Sequence, residues 1–160
     1  MGGREAAISP ARDILDQLDW LTAELEAQRP FLARIPAVQL TAELLPSMPS
    51  LSGMYERMLG RERRNVKCLG GKGGKPVDEV DAGDVNAVLG AIISARKDLL
   101  GHLSTLEEGA WKGPPPEGEE ATLMAWAYQI TLADGETLRA VAERIHESQL
   151  RLGGSQEDGT

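Results

Sequence analysis

Few residues of this chain have types suited to chemistry. There are two histidines, His102 and His146, and one cysteine, Cys68. Carboxylates are more plentiful: Glu56, Glu62, Asp134 and Glu136 fall in segments of helical periodicity and, with His102, offer oxygen and nitrogen ligands to a metal. The paired Glu-x-x-His motifs with which helical di-metal proteins hold their ions are absent. A lone helix histidine is more often a surface or satisfied core residue than a ligand. Cys68 has basic neighbours, a setting that lowers a thiol pKa. No base is identifiable beside it, so an inert or partly buried thiol is expected. The run GGKGGKP (70–76) is glycine-rich but is not a phosphate-binding loop: the spacing to Lys75 is one residue short and Pro76 replaces the required Ser or Thr.

The elements that would position such groups read as helices. Hydrophobic residues make up 41% and charged residues 26% of 160 residues, an ordinary globular composition long enough for one domain with a real core. With one Phe, two Tyr and three Trp, that core must be mostly aliphatic, which suits helix packing better than a β-sandwich. A first helix is predicted from the Ser9 cap and Pro10, with Ile14, Leu18, Leu21 and Leu25 at helical spacing, to about Arg29, before Pro30. A second begins near Ser50, carries Leu51, Met54, Tyr55, Met58, Val66 and Leu69 on one face, and ends at the glycine run. A third runs from an Asp84 cap to about Leu106, with Val85, Val88, Leu89, Ile92, Ile93, Leu99, Leu100 and Leu103 buried. The fourth starts near Thr122 and extends to about Leu150. The domain spans 9–150, and the polar tail 151–160 is expected to be disordered.

In the fourth helix, the stretch ITLADGETLRAVAERIHES (130–148) places Ala133 and Thr137 four residues apart on the apolar stripe. The segments ARDILDQLDWLTAELEA, LLPSMPSLSGMYERMLGRE, LSTLEEGAWKG and TLMAWAYQITLADGETLRAVAERI, in that order, resemble the DinB-like (DinB/YfiT) superfamily of four-helix proteins over about residues 11–146. The resemblance implies an all-α four-helix bundle with long crossover connections around 30–49 and 107–121. It also implies a divalent metal held by three histidines, one from the second helix and two at His-x-x-x-His spacing in the fourth. Residues i and i+4 lie one above the other on a helix, so both imidazoles can reach one ion.

Carried onto this sequence, the ligand positions fall on Arg57, Ala133 and Thr137. Alanine has no donor, threonine is a poor ligand for such a metal, and arginine is a cation. A bundle without the usual metal and without a cofactor is therefore expected, with a binding or assembly role rather than catalysis. The alternative is a metal-dependent hydrolase or a thiol transferase or isomerase with relocated ligands, such as Glu62, His102 and Asp134. Asp134 matches an aspartate that often follows the first of the two histidines in the family, and Glu62 lies five residues after Arg57. Arg57 has three readings: an ion pair with Asp134 or Glu136, a solvent-facing side chain, or a ligand-binding group. Tyr55, Met54 and Met58 either fill the volume that two imidazoles would take, or leave a pocket for a small molecule. The candidate pocket residues are thus Tyr55, Arg57, Glu62, Ala133, Asp134 and Thr137. Gly135, in mid-helix, reads as a point of close helix approach.

Lys and Arg number 17 against 25 Asp and Glu, a formal charge of −8 that disfavours nucleic acid. A basic concentration, Arg57, Arg61, Arg63, Arg64, Lys67, Lys72 and Lys75, is followed at once by acids. It reads as a solvated face, or else as a contact for an acidic partner. One cysteine excludes an internal disulfide and fits a reducing compartment. No apolar run approaches the ~20 residues of a membrane span, so a cytoplasmic location is expected. A homodimer is expected from the resemblance.

Overall fold

A computed structural model describes residues 10–41, 50–70 and 84–158, and among them there are six helices and no strand. Four are long: α1 (Pro10–Leu32), α3 (Leu51–Cys68), α4 (Val85–Ser104) and α6 (Leu123–Asp158). Two are short: α2 (Ala37–Thr41), which packs on α3, and α5 (Glu108–Trp111), which touches α6. The caps follow from local chemistry. Ser50 accepts a hydrogen bond from the Gly53 amide, Asp84 from Ala87 and Thr122 from Ala125, each satisfying a donor that an α-helix start leaves open. At the other end of α3, Gly70 adopts φ +87° and its amide returns to the Lys67 carbonyl. A side chain at that φ would be strained.

Two helix ends differ from the expected ones. α1 runs through Pro30 to Leu32 rather than stopping near Arg29. Proline forfeits one backbone bond, and here both Pro30 and Glu26 are exposed, so water can satisfy the freed Glu26 carbonyl in the last turn. α6 continues past Leu150 to Asp158, so the backbone of residues 151–158, expected as a disordered tail, is helical. Helix propensity does not explain this extension, since Gly153 and Gly154 each cost about 1 kcal/mol in a helix. Ser9, the expected N-cap of α1, and Lys72 and Lys75 of the basic run lie outside the described residues.

The apolar faces of the long helices meet in one core of Leu, Ile, Val and Met with Tyr55, Trp111 and Trp126. α1 packs on α4 and α6, and α3 packs on the same two helices. α1 and α3 therefore face each other across one diagonal, and α4 and α6 across the other. Polar contacts bridge both diagonals. The Tyr55 hydroxyl on α3 donates to Gln28 Oε1 on α1 (2.6 Å), and Arg96 on α4 reaches Asp134 on α6. Trp111 of α5 is buried against the core, in the connection that leads to α6. No helix among the described residues is long and apolar enough to cross a membrane.

Candidate functional site

The buried polar residues of α3, α4 and α6 converge. On α3 the core face is written by Leu51, Tyr55, Met58, Leu59, Glu62 and Val66, so Glu62 holds a core position. On α4 it is written by Leu89, Ile92, Ile93, Arg96, Leu99 and Leu103, and on α6 by Ala127, Ile130, Thr131, Asp134, Leu138 and Val141. Glu62 and Arg96 are fully buried and Asp134 is 1% exposed. Arg96 Nε donates to Glu62 Oε2 at 3.0 Å, and its Nη2 contacts both Glu62 Oε1 and Asp134 Oδ2. A planar guanidinium suits this task because it presents its donors as a fork. Its Nη1 is buried without a hydrogen-bond partner among the described residues.

Two buried carboxylates and one guanidinium leave a formal charge of −1. Arg61 supplies the balancing cation from the rim: its Nη2 lies 4.0 Å from Asp134 Oδ1 and donates to the Thr137 hydroxyl at 2.7 Å. Thr137 in turn donates to the Ala133 carbonyl one turn back. Beside this point a cleft of about 270 Å³ opens between α3, α6 and the segment that precedes α6. Asp134, Ala133, Ile130 and Trp126 line it, with Gln129, Arg61, Asn65, Arg64, Glu117 and Glu120. Arg64 pairs with Glu117 across its mouth at 3.0 Å.

Of the six residues selected from sequence, the structure gathers four. Asp134 and Ala133 line the cleft, Glu62 lies behind Asp134, and Thr137 receives Arg61. Tyr55 does not join them. It is seven residues before Glu62, about 10 Å along the helix, and its hydroxyl is bound to α1. Burial raises its pKa above the ordinary value of 10.0. Arg57 does not join them either: it is exposed and makes no ion pair with Asp134 or Glu136. One helical turn further on, Arg61 takes the rim position instead.

Other readings are corrected by packing. Gly135 is not a point of close helix approach, because a Cβ built there meets nothing within 4 Å. The Cys68 thiol pKa is raised, not lowered: burial is the main cause, followed by a hydrogen bond to Glu117 and its negative charge, with Arg64 pulling weakly the other way. Arg63 turns inward, so the basic face of α3 is Arg57, Arg61, Arg64 and Lys67. His102 stands six residues beyond Arg96 on another face of α4, and no group of three His, Cys, Asp or Glu among the described residues could hold a metal. Sequence reasoning passed over Arg96 altogether. Its signal was the gap between Ile93 and Leu99 in the apolar stripe, which only a facing pair of carboxylates makes meaningful.

In comparisons with protein-family models, characterised proteins and solved structures, nothing matches the chain.

Proposed function

We propose that this chain is a four-helix bundle of DinB-like type in which a buried guanidinium takes the place of the metal ion, and that it acts by binding or assembly rather than by catalysis. The carrying observation is Arg96. Glu62 and Asp134, the buried carboxylates of α3 and α6, both bind its guanidinium, Glu62 through both oxygens and Asp134 through Oδ2. A guanidinium balances charge but does not activate a bound water as a metal ion does. Ala133 and Thr137 bracket Asp134 on α6 without offering imidazoles. The order of elements agrees: four long helices, with long segments before α3, α4 and α6. The binding role belongs to the cleft at Asp134, with a small molecule as ligand. Elemental analysis after incubation with zinc, nickel and manganese, followed by desalting, tests the reading. No retained ion is expected, and near-stoichiometric retention would sink it.

The assembly role has its own observation. Trp20 on α1 is 61% exposed, and Leu132 on α6 is 43% exposed, beside a groove of about 600 Å³ between the two helices. Large exposed apolar side chains in one place mark interaction surfaces. Glu136 and Arg139 line the same groove, and opposite charges three residues apart on one helix are self-complementary about a twofold axis. A second copy of the chain is the occupant that fits, and the homodimer forms through the α1–α6 face.

A further inference from the structure

The charges around Asp134 point to the kind of small molecule the cleft takes. Asp134 is 1% exposed, yet only Oδ2 is engaged, by Arg96. Oδ1 faces the cleft, where its nearest cation, Arg61 Nη2, stands 4.0 Å away, too far for a hydrogen bond. Oδ1 is not among the buried unpaired atoms, so it is the Asp134 oxygen left to solvent or to a donor in the cleft. Glu120, which also lines the cleft, has no ion-pair partner among the described residues and adds a second negative charge. The Arg61 guanidinium uses one nitrogen on Thr137 and is otherwise open to the cleft mouth. An acceptor and a cation thus stand side by side 4.0 Å apart, near enough to balance charge but too far to share a hydrogen bond, each with hydrogen-bonding capacity left for a ligand.

From this juxtaposition we infer that the cleft binds a small zwitterion of the α-amino-acid type. Its ammonium donates to Asp134 Oδ1 and its carboxylate accepts from Arg61. A monovalent cation would compete with Arg61 for Asp134 and leave its open donors unmet, and a simple anion would meet the Asp134 and Glu120 carboxylates. The ammonium and carboxylate of an α-amino acid are joined through one carbon, which matches the short separation of the two protein groups. At about 270 Å³ the cleft lies just below the range typical of drug-sized ligands, so the occupant is small. Trp126 and Ile130 give it an apolar wall for a short side chain.

The inference rests on the binding reading above and is tested by isothermal titration calorimetry and thermal shift on the full chain. The probes are glycine, L-alanine, L-serine and L-glutamate, with methylammonium and acetate as controls at equal ionic strength. Saturable binding of an amino acid is expected, with no response to either control. Arg61 is a rim residue, so Arg61→Met should leave the helical content intact and weaken binding by roughly tenfold or more, the loss of one charge-assisted hydrogen bond. Asp134→Asn disturbs the buried network, so Ala133→Leu serves as the second variant: it fills the cleft and should abolish binding with the network untouched. Equal responses to the control ions, no response to any amino acid, or binding indifferent to Arg61→Met would each overturn the inference. Metal retention by the unmodified chain would overturn the metal-free reading. Absent amino-acid binding with no metal retained would overturn only this one.

Discussion

Arg96 is the residue on which the interior depends, because among the described residues it is the only partner of Glu62 and the only close one of Asp134. Removing one member of a buried ionic group costs about 3–5 kcal/mol, since the remaining charges lose their compensation in a low-dielectric interior. Arg96→Met is expected to lower stability by that order in urea unfolding followed by circular dichroism. Replacing Glu62, Arg96 and Asp134 together by apolar residues of similar volume should recover most of the loss. If Arg96→Met alone left stability unchanged, the three residues would not form the closed network described.

Tyr55 gives a second prediction at this scale. Its phenol is buried with a raised pKa, so the folded state favours the protonated form. The sign is that of a group whose folded pKa lies above its unfolded value. The stability it contributes is complete below about pH 10, the unfolded value, and is lost as pH rises beyond it. Stability measured by denaturant titration should therefore fall above about pH 10, and Tyr55→Phe should flatten that fall. The variant should also cost on the order of 1 kcal/mol at neutral pH through the lost bond to Gln28. A fall of the same size in Tyr55→Phe would refute the assignment.

At the scale of the element, α6 contains an avoidable defect. Gly135 sits mid-helix in open space, so it spends backbone entropy without gaining a closer contact. Gly135→Ala should raise stability by about 0.4–1 kcal/mol, a Tm increase of a few degrees by calorimetry. Gly135 also lines the α1–α6 groove. If alanine instead weakened self-association while stabilising the monomer, the glycine would be serving close approach of a second copy. Pro30 makes the opposite point on α1: local sequence predicted a stop there, and an exposed last turn tolerated the missing bond.

For the whole molecule, the arrangement of helices places the two polar cross-braces on different diagonals and at different heights. Tyr55–Gln28 ties α3 to α1, and Arg96 ties α4 to both α3 and α6. The outer α1–α6 face carries the assembly prediction. Trp20→Lys places a charge on a side chain that is already 61% exposed, so the monomer should fold normally. Sedimentation velocity is expected to show a dimer for the native chain and a monomer for Trp20→Lys. An unchanged sedimentation coefficient would exclude this face.

The sequence by itself determined the all-helical class, the starts of α3, α4 and α6, and most of the core, because caps and apolar spacing of three and four residues are local properties. It also marked Glu62, Asp134, Ala133 and Thr137, since matches to and departures from a resembling pattern can both be read along the chain. What it did not determine is which charged residues face which. Asp134 and Arg96 are 38 residues apart, on helices across a diagonal, and a charge on an apolar stripe is meaningful only beside its partner. Arg57 and Arg61, one turn apart on the same helix, look interchangeable in sequence. Only the rotation of α3 against α6 exposed the first and brought the second to Asp134, because helix orientation follows from packing the whole core at once.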